Sequence, residues 1–485
     1  MQRDSNSDAP PKLRPALSVL DLVLLNVATI VGLRWISTAA QIGPSGLTLW
    51  VIAALVFFIP SGLAVQELSS RIPHVGGLYL WTRAAFGDTH AFLAAWAYTL
   101  SNLVFLPSLL LFISGIVLHV GGGSWLALAD NPLYNGLVCL GLLWAATFVN
   151  ILGLKHAKWI QNLGGTSTLV IGLMVLSGGA IVWWRFGPAT PISAPSLVPD
   201  MTSGPTLSTF AILVLGYVGL ELGPIMGDEI KDAAHSVRRA TIIAGIAIAA
   251  IYMAGTVALL VALPANQISA ISGIPEALEA IGQRAGVMHA GALVAILLAV
   301  ANVGGLSAWI GGVARLPFVM GLGHYLPERL GAIHPKYGTP HVALLVQAAL
   351  ASVVLLLAVA GSAVREAYQL LTDLTAALDC LAWAYIFASL AVLRQRAKGE
   401  NAGVALIPGG PIVCWVLASI GVLAMLFATF ASMVPPQGSG SPVLFMLKGA
   451  GGCVATFVSG LVIVKRGRRR RLQASSNPAA ALHES

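Results

Sequence analysis

The sequence predicts an all-α membrane protein of twelve transmembrane helices, two of them, the first and the sixth, broken in mid-membrane. Three observations carry this expectation. Of 485 residues, 57% are hydrophobic and only 9% charged, whereas soluble domains carry about a quarter charged residues. Apolar stretches of the roughly 20 residues that a bilayer span requires begin near Val19, Leu47, Thr89, Leu133, Lys158, Leu207, Thr241, Ala285, Val342, Ala367, Ile412 and Leu444. Two of these stretches are interrupted by glycines and a charge: the first at Val31, Gly32, Leu33, Arg34 and Trp35, the sixth at Gly216, Tyr217, Val218, Gly219 and Glu221.

Orientation follows from the basic residues. With the N-terminus inside, all 27 Lys and Arg fall on inner loops, tails or helix ends except Arg185, Arg284, Arg365 and Lys448 outside and Arg34 within the membrane. The positive-inside rule therefore places both termini in the cytoplasm and the protein in the cytoplasmic membrane. The net charge of +8 is accounted for by that topology, so no nucleic-acid partner is expected. The terminal run Lys465, Arg466 and Arg468 to Arg471 reads as an inner-face anchor that also attracts anionic lipid. The polar, proline-rich residues before Ala16 are not expected to act as a cleavable leader, and the first helix is expected to direct insertion. Cys139, Cys380, Cys414 and Cys453 stand singly without ligand spacing and read as core residues.

Taken in order, the first span carries Arg34 at bilayer depth. A buried arginine there costs about 2.5–3.5 kcal/mol on insertion scales and so marks a protein-lined or watery site. Gly43, Pro44, Ser45 and Gly46 make the outer turn, and the second span ends at Glu67 and Arg71. The following Pro73, Gly76 and Gly77 enforce a non-helical inner loop. A long third span runs through Trp96, Tyr98, Asn102 and Pro107 to the glycines 121–123. The fourth ends at Asn150, before the basic loop of Lys155, His156 and Lys158 and the fifth span. Residues 185–205 lack apolar periodicity and read as an irregular outer loop.

The sixth span repeats the peculiarity of the first, five spans later. Paired glycine- or proline-interrupted apolar segments in two halves of a chain point to a transporter built on inverted repeats. Broken helices expose unpaired backbone groups, which are tolerable in a membrane only where they line a cavity, so the two breaks are expected to form the binding site. Beyond them, Glu276, Glu279 and Gln283 share a helical face over the outer mouth. His324, His334 and His341 lack metal-ligand spacing, so no metal is expected. Asp373 and Asp379 are the only notable residues of the last four spans. No nucleophile with its base and no phosphate loop is present, so neither a cofactor nor an enzyme is expected.

Four segments now carry a family likeness. Residues 67–87 (ELSSRIPHVGGLYLWTRAAFG) resemble the loop after the second helix of amino acid–polyamine–organocation permeases, with its Glu, Pro, Gly-Gly-x-Tyr and Phe-Gly. Residues 216–240 (GYVGLELGPIMGDEIKDAAHSVRRA) are similar to that family's sixth-helix signature. Residues 315–340 (RLPFVMGLGHYLPERLGAIHPKYGTP) resemble its eighth-to-ninth loop, and 150–162 the opening of its fifth helix. The resemblance implies the LeuT-like five-plus-five inverted repeat with two peripheral helices and alternating access. The units are then a tail 1–15, a first repeat 16–186, a second repeat 187–396, the last two helices 397–466 and a basic tail 467–485.

Departures from the family bear on substrate. Where members carry Gly-x-Gly at the first break, Arg34 replaces the second glycine; Thr168 falls at the position of a proton-linked lysine or a sodium site; Ala233 replaces a proline. Arg34 reads either as a bidentate clamp on a substrate carboxylate, or a built-in cation replacing a coupling ion, or as the structural counter-ion of Glu221. Glu221 could bind a substrate amine or carry a proton. The substrate set is thus Val31, Gly32, Leu33, Arg34, Trp35, Gly216, Tyr217, Val218, Gly219 and Glu221, with Asn102 beside it. Trp35 and Tyr217 are candidate aromatic lids. Glu67, Arg71, Asp228, Glu229 and Arg315 read as an inner ion-pair network that gates. The expected function is secondary transport of an amino acid or related amine, with a proton, sodium or no coupling ion. A polyamine or organocation carrier and a non-transporting amino acid sensor are the alternatives, and Arg34 disfavours the former by like-charge repulsion.

Overall fold

The structure is a computed structural model that describes residues 13–121, 123–269, 273–285, 290–323, 325–361, 364–397, 404, 406–433 and 442–476. The tails 1–12 and 477–485, Gly122, His324 and the side chains of Gln283, Arg284, Arg365, Asp373, Lys448 and Arg468 to Arg471 lie outside the described residues.

Eleven described helices are long and apolar enough to cross a membrane. The twelfth expected span, the sixth in order, is divided into Gly204–Gly216 and a short turn Leu222–Ile225. The first span is likewise two helices, Val19–Ile30 and Leu33–Gln41. Ser18 opens the first with a capping box: it accepts from the Asp21 N–H at 3.4 Å while the Asp21 carboxylate accepts from the Ser18 N–H at 2.9 Å, satisfying amides that the first helical turn leaves without partners. The remaining spans are Ser45–Arg71, Asp88–Leu118, Pro132–Ile151, Leu154–Phe186, Ala233–Ala262, Ala292–Leu322, His341–Ala360, Leu374–Arg396, Gly410–Ala431 and Gly449–Gly467.

Burial separates a central set from a peripheral one. In the third span 78% of the apolar window is buried and in the first 72%, whereas in the twelfth it is 17%, which places that span at the edge of the bundle. Spans one, five and eight cross at glycines: a Cβ on Gly164 would stand 2.6 Å from Gly304 Cα, and one on Gly305 2.5 Å from the Ala28 carbonyl oxygen. Such close backbone approach is how helices associate in a medium where apolar side chains gain nothing by leaving lipid.

In the second span Pro60 has no N–H to give. The turn ahead of it widens to π geometry over Ala54–Phe58, a common response to a missing helical hydrogen bond. This rotates Phe57 onto Trp383, ring centroids 5.0 Å apart, and stacks Phe58 on Tyr217 at 4.4 Å. The expected amphipathic helix is Gly273–Ala285, with Ile274, Ala277, Leu278 and Ile281 buried and Glu276 exposed.

One end of the bundle collects the charges. There the chain before the first span pairs with the chain after the sixth: Ala16 and Leu17 N–H donate to the Glu229 carbonyl at 2.8 and 3.1 Å, and Lys231 N–H to the Leu17 carbonyl at 3.0 Å. The loop after the second span tucks beneath the sixth, Gly76 N–H donating to the Ile225 carbonyl at 2.8 Å.

Candidate functional site

The two breaks face each other and are tied by one residue outside both. Tyr252, on the seventh span, accepts the Gly32 N–H at 3.2 Å, and its hydroxyl hydrogen is shared between the Ile30 carbonyl and the Gly216 carbonyl, the latter at 2.7 Å. Backbone groups of both breaks are therefore met by a single phenol, fully buried, the Gly32 N–H also donating to the Ile30 carbonyl at 2.6 Å. Nothing in the sequence singles out Tyr252, because it lies in an unbroken apolar helix.

At the second break, Gly219 takes φ +136°, a conformation open to glycine and rarely to other residues. Glu221, two residues on and fully buried, accepts the Gly219 N–H on Oε2 at 3.0 Å and the Tyr98 hydroxyl on Oε1 at 2.5 Å. Arg34 is not among its partners. The counter-ion pairing considered for Arg34 and Glu221 is thus not formed in this conformation: the carboxylate caps its own break and is turned to the third span by Tyr98. Asn102, one turn along that span, donates to the Tyr98 carbonyl at 2.9 Å.

Between the breaks lies a cavity of about 30 Å³, room for a water or two. Its walls come from five spans. Val31, Gly32, Arg34 and Trp35 of the first break line it, with Phe105 of the third span, Val218 of the sixth, Trp309 of the eighth and Asp379 of the tenth. Arg34 and Asp379 are each 3% exposed. The Arg34 guanidinium carbon sits 4.1 Å from the Trp35 ring centroid and 5.4 Å from those of Phe105 and Phe112, a desolvated aromatic cradle that stabilises a cation. Asp379 Oδ1 accepts from the Ser101 hydroxyl at 2.5 Å. No basic side chain is within ion-pair distance of it among the described residues.

Of the residues expected from sequence, the structure brings Val31, Gly32, Arg34, Trp35 and Val218 to this cavity. Leu33, with Arg34, also faces a thin gap at Ile274 and Pro275 of the amphipathic helix. Gly216, Tyr217, Gly219, Glu221 and Asn102 stand behind the wall. Tyr217 is not a lid here: it is enclosed by Phe58, Trp50 at 5.0 Å and Tyr252 at 5.3 Å. Asp379 reaches the cavity although the sequence offered only an acid in an apolar helix.

The expected inner ion-pair network divides into separate clusters. Glu67, fully buried, accepts from Arg71 at 2.8 Å, Arg394 at 2.9 Å and the Ile407 N–H at 2.9 Å. Glu229 is bound bidentately by Arg315 at 2.8 and 2.9 Å, and that guanidinium also donates to the Gly311 carbonyl. Asp228 is apart from both and pairs with His74 at 3.2 Å on the exposed surface. The division arises because Glu67 and Glu229 are buried under different spans, and Arg394, which joins the second span to the tenth, carried no positional signal in the sequence.

Comparison with known proteins gives this geometry a family. An uncharacterised transporter of Legionella pneumophila subsp. pneumophila is 28% identical over 425 residues, 87% of this chain and 90% of that one. A probable agmatine/putrescine antiporter of Lactococcus lactis subsp. lactis is 25% identical over 300 residues, 62% of this chain and 63% of its own. Among solved structures, that of MhsT in complex with L-phenylalanine superposes with a TM-score of 0.61 at 14% identity, covering 86% of this chain and 99% of that one, which shows the shared LeuT-type fold of broken first and sixth helices. A family model for the amino acid permeases matches residues 17–457. The chain therefore belongs to the amino acid permease family and is a multi-pass secondary transporter of amino acids.

Proposed function

We propose that the cavity between the breaks takes its substrate as a zwitterion, the carboxylate on Arg34 and the amine toward Asp379. The observation that carries this reading is that two oppositely charged, buried side chains from different spans line one cavity at the two breaks. A desolvated guanidinium presents two parallel donors to a carboxylate, and a buried carboxylate lacking a base is completed by an ammonium. The cavity is smaller than any amino acid, so binding requires the walls to part, and Trp35, which both packs on Arg34 and lines the cavity, is the side chain placed to move.

In this reading the chain works in the cytoplasmic membrane, with the charged end and both termini inside, as the basic residues of the inner loops favour. Residues 16–186 and 187–396 are the two inverted repeats, followed by the peripheral helices 397–466, and they alternate access by opening one end at a time. Glu221 is the proposed carrier of a coupling proton: intramembrane carboxylates commonly serve proton transfer, and this one joins the sixth-span break to the third span through Tyr98.

A second reading, a diamine carrier, is favoured by the name of the Lactococcus relative and opposed by Arg34, which repels a second ammonium. Uptake competition in proteoliposomes distinguishes them. Zwitterionic amino acids should displace one another and putrescine should not; putrescine uptake insensitive to every amino acid would replace the first reading with the second.

A further inference from the structure

The charged end carries a second cavity, of about 420 Å³, remote from the breaks and unused by the transport reading. Two walls form it. One is the chain before the first span with the chain after the sixth, contributing Arg14, Glu229 and Lys231; the other is the fourth-to-fifth and eighth-to-ninth loops, contributing Lys155, Lys158 and Lys336. Each wall is internally joined, the first by the backbone pairing of Leu17 with Ile230 and the second by the Thr339 hydroxyl donating to the Ile151 carbonyl at 2.8 Å, and Lys158 crosses between them to the Ala16 carbonyl and Asp21, each at 3.2 Å.

The charge balance of this cavity is one-sided. Its acid, Glu229, is already neutralised by Arg315, and Lys158 is answered by Asp21 at 3.2 Å. Arg14, Lys155, Lys231 and Lys336 are exposed, and among the described residues no carboxylate lies within ion-pair distance of any of them. The 33-residue fifth helix also begins here, at Leu154, with Gly153 as its N-cap and no side chain capping its first amides. A helix start presents N–H groups and a positive dipole end to the same space. Membrane topology asks only that basic residues lie on the inner side. It does not ask that four of them, from four separate segments, border one cavity around an uncapped helix start.

We propose that this cavity binds a multiply charged phosphate anion, supplied either in solution or as a lipid headgroup. An anion lying between the two walls screens the repulsion of Arg14 and Lys231 on one from Lys155 and Lys336 on the other, so its binding favours the conformation in which the charged end is closed, and by linkage closure favours its binding. The proposal rests on the second cavity alone and stands independently of which substrate the central cavity takes.

The test uses the full chain purified in a neutral detergent, with binding as the readout. Pyrophosphate is titrated by calorimetry, and cardiolipin retention is followed by native mass spectrometry against phosphatidylethanolamine. The variants are Lys231→Gln with Lys336→Gln, and a control, Arg238→Gln with Arg239→Gln, two exposed basic residues outside the cavity. The expected result is saturable binding of at least one probe, weakened tenfold or more in the cavity pair and unchanged in the control. Pyrophosphate alone identifies a soluble anion, cardiolipin alone a headgroup. Absence of saturable binding by both, or equal losses in the two variants, overturns the proposal.

Discussion

The Tyr98 hydroxyl donates to Glu221 at 2.5 Å, and this hydrogen bond fixes the carboxylate of the sixth-span break to the third span instead of to Arg34. Replacing Tyr98 by Phe removes the donor and leaves a buried acceptor short of a partner, a change that costs about 1–3 kcal/mol and more when the acceptor is charged. Thermal unfolding in detergent should show Tyr98→Phe melting below the wild type; an unchanged melt would mean that water or another group replaces the phenol.

Tyr252 supports both breaks at once. Tyr252→Phe removes the donor to the buried Gly216 carbonyl and leaves the Gly32 N–H only the Ile30 carbonyl, at 2.6 Å, so it should reduce transport at least tenfold while lowering stability by only about 1–3 kcal/mol. The comparison is initial uptake rate against melting temperature. A variant that transports normally would show that the breaks hold their geometry without this residue.

Glu229 and Arg315 form a buried bidentate pair, 2% and 0% exposed. Breaking such a pair from one side costs about 3–5 kcal/mol, whereas replacing both members with apolar residues is often neutral. Arg315→Met and Glu229→Leu should each destabilise, and the double variant should recover most of the loss. Additive costs in that cycle would show that each residue is held by other contacts.

Gly219→Ala places a Cβ at φ +136° and 2.7 Å from the Ile30 side chain. Strain of about 1–3 kcal/mol at the break, together with that contact, should give a protein that inserts but neither binds nor transports, read by expression level and ligand-induced thermal shift. Wild-type transport by Gly219→Ala would show that the break tolerates another backbone path.

The architecture was legible because a bilayer imposes it. The apolar stretches and the two interrupted helices each follow from a constraint that acts on sequence directly: span length and backbone satisfaction. The lining of the candidate cavity was legible only where it departed from that background, at Arg34, Gly32 and Trp35. Tyr252 and Arg394 look like ordinary residues of apolar helices, and only the packing of distant spans gives them partners. Glu221 was visible as a charge at the break, but its turn toward Tyr98 depends on how the third span crosses the sixth, which no local pattern encodes. Asp379 was visible as an acid in a membrane helix and joined the candidate cavity only when the tenth span was set against the first.

The central claim, that Arg34 and Asp379 are the two poles of a zwitterion site, is tested most directly by measuring, for each variant, the affinity of an amino acid against its methyl ester and its deaminated analogue. The wild type should reject both analogues. Arg34→Gln should lose its discrimination against the ester while still rejecting the deaminated acid, and Asp379→Asn should show the reverse. If both variants keep the wild-type order of the three ligands, neither charge touches substrate and the assignment is wrong.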